Sequence, residues 1–139
     1  MRSWIAVALG GIIGTGLRLA SDTAFPHTAN AFPWDTLIIN LVGSLVLGVL
    51  AGGVWGRPGL PPWLKVGLGS GVIGSFTTFS ALTAASVTLT TAGAGWLALT
   101  YVGVSLLLGL GAAALGLRVG ASAAHRRMPR EITDEGIDL

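Results

Sequence analysis

Three short polar series interrupt an otherwise apolar sequence. Thr36, Asn40 and Ser44 recur at every fourth residue, which stacks them on one face of a helix. Serine and threonine can bond back to their own helix, but an asparagine amide at mid-membrane cannot satisfy two donors and an acceptor locally. Asn40 therefore either glues helices together or offers a donor to a pathway. Phe79, Thr83, Ser86 and Thr90 form a second stripe of one ring and three hydroxyls, and Tyr101, Ser105 and Gly109 form a third. Every one of these side chains is neutral, most can donate a hydrogen bond, and an aromatic ring edge is partly positive. Such a lining suits a small anion better than a large or hydrophobic solute.

The stretch Gly71-Val72-Ile73-Gly74-Ser75-Phe76-Thr77-Thr78-Phe79-Ser80 is a poor continuous helix, because it packs two glycines, two threonines and two serines into ten residues. A helix broken at membrane depth exposes carbonyls, which is tolerated where they are buried in protein, line a cavity or hold an ion. The absent residues narrow the chemistry further. The carboxylates Asp22 and Asp35 fall at expected helix ends, and no Asp, Glu, His, Lys or Cys falls within a helix interior. Proton-coupled exchange needs a titratable group at depth, and metal catalysis needs a ligand cluster. Of the ionised residues in the expected spans Arg18 lies furthest from an end, about a turn in, where it could snorkel or place positive potential at an entrance.

The elements that must hold these residues follow from composition. Of 139 residues, 52% are hydrophobic and 10% charged, with 22 glycines and a mean hydropathy of +0.76. A soluble domain this small would need far more polar residues to cover its surface, so a soluble enzyme, a nucleic-acid binder and a disordered protein are poor readings. Val66 to Leu117 is a run of 52 residues without a charge, and Thr36 to Gly56 a run of 21. At 1.5 Å per residue across a hydrocarbon core of about 30 Å, the first suits two helices and a turn and the second one helix. We therefore expect four transmembrane helices, at Ser3–Asp22, Trp34–Trp55, Pro62–Thr91 and Gly95–Gly120. These form one four-helix transmembrane domain over 1–120, followed by a polar, solvated tail over 121–139. Prolines and glycines between Gly56 and Pro62 end the second helix, and Ala92 to Gly95 joins the last two as a tight hairpin. Arg2 and the apolar run after it look like a signal peptide, but Gly10, Gly11, Gly14, Gly16 and Arg18 crowd the place of its apolar core, so the stretch is read as a retained span. The five tryptophans fall at or near expected helix ends, as headgroup-seeking indoles do.

Arg2, Arg57, Lys65, Arg118, Arg126, Arg127 and Arg130 share one side of this layout, and the other has only Arg18 near it. The positive-inside rule then puts both termini in the cytoplasm. Small-residue pairs at Gly10/Gly14, Gly48/Gly52, Gly67/Gly71 and Gly116/Gly120 predict close helix packing rather than a wide aqueous lumen.

The segments Gly10 to Gly14 with Arg18, Thr36 to Ser44, and Gly71 to Ser80 resemble the Fluc (CrcB) family of fluoride channels. With the length and four-helix layout, the resemblance covers about Arg2 to Gly120, and Thr77-Thr78-Phe79-Ser80 is its most specific part. It implies an all-α membrane protein of the bacterial cytoplasmic (inner) membrane, forming an antiparallel dual-topology dimer with two fluoride pathways. It also implies a passive channel: HF enters and ionises inside, and the membrane potential drives fluoride out. The resemblance places Asn40, Phe79, Ser80, Leu82, Thr83, Tyr101 and Ser105 along the pathway and Arg18 at a vestibule. A structural central Na+ would be held by the main-chain carbonyls of Gly74 and Thr77. Leu82 stands where the family has a second phenylalanine, and Gly109 where a hydroxyl is expected. The Lys/Arg imbalance is unlike a dual-topology chain and raises an oppositely oriented homologue, instead of a second copy, as the partner. A dual-topology small-solute exporter and a non-transporting accessory subunit are the competing readings; the first lacks its buried acid here, and the second has no need of hydroxyl stripes beside a broken helix.

Overall fold

In lipid the backbone satisfies itself within helices or in a closed barrel, and continuous apolar runs of about twenty residues or more, without the alternation of barrel strands, take the first course. The computed structural model describes residues 1–25 and 31–125, and all regular structure among them is helical. Helix α1 is Arg2–Ala24, and α2 starts at Trp34 and continues through a π-helical end to Val54. The third span has two parts, α3 (residues 62–76) and α4 (Phe79–Thr91), and the fourth is α5, Gly95–His125. Each of the four spans, Arg2–Ala24, Trp34–Val54, Pro62–Thr91 and Gly95–His125, is long and apolar enough to cross a membrane. The chain is a multi-pass membrane protein.

The expected spans match these helices closely, save that α5 runs on through Ala121–His125, where a solvated tail was expected to begin. The rest of that tail, and most of the loop between α1 and α2, lie outside the described residues.

Local chemistry fixes each boundary. Pro61 is extended and Pro62 opens α3, where its missing N–H is not needed. The Lys65 ammonium donates to the Trp55 carbonyl at 2.6 Å, capping the end of α2. After α4 the Ala94 N–H reaches the Leu89 carbonyl at 2.9 Å and the Gly93 N–H reaches Thr90 at 3.1 Å. This Schellman pairing requires the left-handed backbone that Gly93 adopts at φ 80°.

Glycines decide which helices touch. A Cβ on Gly10 or Gly14 would run into the carbonyls of Gly67 or Val72, so α1 lies backbone to backbone on α3. A Cβ on Gly48, Gly52 or Gly53 would meet the backbone of Ala113, Leu117 or Gly120, so α2 lies in the same way on α5. All four expected glycine pairs sit in these two seams. The π-helical turns at Leu50–Val54 and Gly67–Ile73, which the sequence pattern does not reveal, fall along them. Trp4, Trp34, Trp63 and Trp96 are exposed at helix ends, whereas Trp55 is half-buried with its ring over Gly69. A small apolar core of Leu37, Leu82, Leu89, Ala98 and Tyr101 fills the junction of α2, α4 and α5.

Candidate functional site

The third span breaks at Thr77 and Thr78, within the stretch expected to be a poor helix. Both residues are extended, at φ −80°, ψ 148° and φ −148°, ψ 127°. In a continuous helix the Thr78 N–H would meet the Gly74 carbonyl and the Ala81 N–H the Thr77 carbonyl. Here the Thr78 N–H donates to Asn40 Oδ1 at 2.9 Å, and the Ala81 N–H donates to Thr78 Oγ1 at 3.2 Å. The carbonyls of Gly74 and Thr77 thus lose their helical donors. Thr78 acts as the N-cap of α4, and its hydroxyl also pairs with Ser80 Oγ at 2.7 Å. On the other side of the break, the Thr77 N–H and hydroxyl both donate to the Ile73 carbonyl, at 2.9 and 2.8 Å.

Asn40 closes the gap from across the bundle. Besides accepting from the Thr78 N–H, its Nδ2 donates to the Thr78 carbonyl at 3.1 Å. One amide therefore engages both backbone groups of Thr78, replacing the helical partner of its N–H and adding a second donor to its N-cap carbonyl, and one of its two N–H groups remains for another acceptor. Of the two uses foreseen for this residue, the first is realised in full.

A groove of about 310 Å³ lies beside the break, lined among others by Asn40, Ser44, Thr77, Thr78, Phe79, Leu82, Ser105 and Gly109. Of the expected pathway residues, it gathers Asn40, Phe79, Leu82 and Ser105. Phe79 is 73% exposed, while Leu82 is buried and shared with the apolar core. Tyr101 is 0% exposed in the core, its ring edge-on to Phe32 at 5.3 Å. The hydroxyls of Tyr101 and Ser105 are both buried and have no hydrogen-bond partner other than each other. Ser80 and Thr83 are exposed on α4 outside the groove lining, and Thr83, Ser86 and Thr90 each donate to the carbonyl four residues back. That hydroxyl stripe is therefore largely self-satisfied.

A second, half-open pocket of about 470 Å³ lies toward the end of the bundle that holds Arg18. Arg18 Nε lies 3.0 Å from Asp22 Oδ1 and donates to Oδ2 at 3.1 Å, while Nη2 donates to Thr36 Oγ1 at 2.9 Å. Thr36 in turn donates to Asp35 Oδ2 at 3.3 Å. The Arg18 side chain is only 12% exposed, and its Nη1 has no hydrogen-bond partner. Asp22 was read from the sequence only as a helix end, although its spacing of four from Arg18 was the available signal. Thr36 borders this pocket, and Asn40 and Ser44 border the groove, so one face of α2 links the two over roughly 12 Å of helix. Among the described residues, no group of three His, Cys, Asp or Glu gathers to hold a metal.

These features define a small four-span membrane protein with a polar, carboxylate-free groove at a broken helix. The family described as CrcB-like protein, Camphor Resistance (CrcB), matches residues 5–117, and the chain belongs to that family. A protein of Desulfitobacterium hafniense named fluoride-specific ion channel FluC 1 is 47% identical over 108 residues, covering 78% of this chain and 94% of that one. One of Hyphomonas neptunium, named fluoride-specific ion channel FluC, is 40% identical over 119 residues, covering 84% and 94%. One of Halalkalibacterium halodurans, fluoride-specific ion channel FluC 2, is 42% identical over 124 residues, covering 88% and 89%.

Proposed function

We propose that this chain forms a passive, fluoride-selective channel, and that the groove at the break is its ion pathway. The observation that carries the reading is Asn40, whose amide both holds the break and keeps an N–H for the groove. Fluoride is small and strongly hydrated, so a protein that strips its water must offer hydrogen-bond donors in return. The donors here are the spare Asn40 N–H, the hydroxyls of Ser44 and Ser105, and the ring edge of Phe79. At one end Arg18 keeps a buried Nη1 without a hydrogen-bond partner, although Asp22 and Asp35, the latter reached through Thr36, offset its charge. Among the described residues no carboxylate lines the groove, which favours a passive pathway over a proton-coupled one. The names carried by the relatives favour the same ion.

The finer reading has two pathways in an antiparallel dimer, built around the break and closed by a central Na+. Gly74 and Thr77 fit such an ion, because their carbonyls lack helical donors and are neutral hard oxygens suited to a monovalent cation. When bound, Na+ would neutralise converging carbonyl dipoles and hold the two breaks together.

The test is ion efflux from liposomes loaded with fluoride or chloride. Fluoride should leave quickly and chloride should be retained; equal passage of the two would refute the assignment. Replacing Na+ by a large organic cation should lower the melting temperature of the assembly, and an unchanged melt would remove the central site from this account.

A further inference from the structure

A hollow of about 350 Å³ lies where α1 meets the start of α3, lined by Arg2, Ile5, Ala6, Leu9 and Trp63. Ala6 is packed so closely on α3 that a Cβ on Gly67 would come within 3.0 Å of its methyl. The glycine seam thus holds the two walls together, and the hollow is formed before any ligand arrives. Its upper part is a cation and an indole, the pair that a membrane–water interface selects. Arg2 is exposed, and among the described residues it makes no ion pair and no side-chain hydrogen bond. The two described acids, Asp22 and Asp35, cluster with Arg18 and Thr36 toward the other end of α1, about 30 Å away. The charge left unanswered at this hollow is therefore positive.

Below that pair the surface turns apolar. Ile5 and Leu9 line the hollow, and Ile12 and Ile13 carry the strip on along α1, all four more than half exposed. From Arg2 to Ile13 is roughly 16 Å of helix, about half of a hydrocarbon core of about 30 Å and so the depth of one leaflet. We infer that this hollow binds one anionic phospholipid, its phosphate against Arg2 and Trp63 and one acyl chain along Ile5, Leu9 and the isoleucines beyond. A soluble anion would leave the strip unused, and a neutral lipid would leave Arg2 unanswered; basic pockets between membrane helices select lipids that meet both needs. The hollow at the end of the other seam shows the contrast. It has Arg57 and His125, but its remaining lining is glycine, alanine and proline, with no apolar strip for a chain. None of the residues around Arg2 borders the groove at the break or the Arg18 pocket, so the inference does not depend on which ion the protein carries.

The test titrates the full-length protein, in neutral detergent, with phosphatidylglycerol or with phosphatidylcholine of the same acyl chains, and native mass spectrometry counts the lipid retained per chain. One phosphatidylglycerol should be retained per chain, about fivefold more tightly than phosphatidylcholine, the factor that one arginine contributes at an anionic headgroup. Arg2→Gln should abolish that preference, and Arg2→Lys should keep most of it. Leu9→Asn should weaken both lipids alike and preserve their ratio, whereas Arg57→Gln, on the other hollow, should change neither. Equal retention of the two lipids by the unaltered chain would overturn the inference. So would a loss of preference in Arg57→Gln as large as in Arg2→Gln, which would make the basic end a diffuse patch. Inorganic phosphate and glycerol phosphate should not compete, and displacement of the lipid by either would make a soluble anion the occupant and overturn it as well. Combining Glu131→Gln, Asp134→Asn, Glu135→Gln and Asp138→Asn should leave binding unchanged; a several-fold rise would assign the hollow to the acidic tail instead of a lipid.

Discussion

The glycine seams and the break both bare the polypeptide backbone inside an apolar medium, and they cover it in opposite ways. In the seams the backbone stays helical, with α- or π-helical bonds, and the missing side chain only lets one backbone lie against another. At the break the helical bonds themselves are given up, and Asn40 and Thr78 replace some of the partners while the carbonyls of Gly74 and Thr77 are left without theirs. The seams are thus closed and tolerate nothing new, whereas the break holds unspent hydrogen-bonding capacity. The proposed pathway sits where the backbone is unsatisfied, and the close-packed seams lie where it is merely near.

The harshest test of that contrast is a side chain forced into a seam. In Gly116→Leu the new Cβ would meet the Leu45 carbonyl and lie 2.9 Å from the Val49 nitrogen, all backbone that cannot step aside. Overpacking of a core commonly costs about 1–3 kcal/mol, and a rigid backbone obstacle exceeds that range. The expected outcome is no monodisperse protein after extraction, read by size-exclusion chromatography. Recovery of a normal, thermally stable peak would show that α2 and α5 are not locked together.

Asn40→Leu should act next most strongly, and differently. The protein should still extract as a stable species, because the seams are untouched. The Thr78 N–H would be left without a partner at a cost of about 1–3 kcal/mol, its carbonyl would keep only the intrahelical bond of an N-cap, and the groove would lose a donor. Fluoride efflux should fall to the level of empty liposomes, with a lowered melting temperature. Normal efflux would return Asn40 to the role of helix glue alone.

Much of this plan is legible in the sequence, and what is not has a physical reason. The spans are visible because a charge-free run of 52 residues has no other explanation at this length. The break is foreseeable to within ten residues, since glycine and threonine mark the weak stretch without saying which peptide gives way. The partner of Asn40 is not foreseeable: it is the backbone of a residue 38 positions away, and backbone atoms leave no trace in residue type. The glycine pairs announce close packing but not which helix meets which, because four similar pairs allow several matchings. Tyr101 was grouped with Ser105 by spacing alone; the fold turns its ring into the core against Phe32 and Leu82, a consequence of tertiary packing that periodicity cannot carry. Asp22 was legible from its spacing of four to Arg18, yet only the structure shows Thr36 completing that cluster.

A milder change sharpens the account of the break itself. Thr78→Ala removes the N-cap of α4 but leaves both Asn40 bonds, which use only the Thr78 backbone. Loss of a cap costs about 1 kcal/mol, so the melting temperature should fall modestly, and Thr78→Ser should restore it. Efflux should change less than in Asn40→Leu. An efflux loss in Thr78→Ala as complete as in Asn40→Leu would mean that the hydroxyl, rather than the clamped peptide, is what the ion requires.

The smallest expected effect comes from adding a group where the groove is empty. A Cβ at Gly109 would meet nothing within 4 Å, in contrast to every glycine of the seams. Gly109→Ser therefore introduces no collision, and replacing glycine within a helix should itself be slightly favourable, by about 0.5 kcal/mol. The new hydroxyl would stand four residues beyond Ser105 on the same face of α5, where both residues line the groove. If the ion travels along that face, a further donor should raise fluoride efflux while leaving the melting temperature within a degree or two, since surface-like changes stay within about 0.5 kcal/mol. A raised melt with unchanged efflux would place the ion's route against Asn40 and Phe79 alone, and would leave the α5 wall of the groove as packing surface.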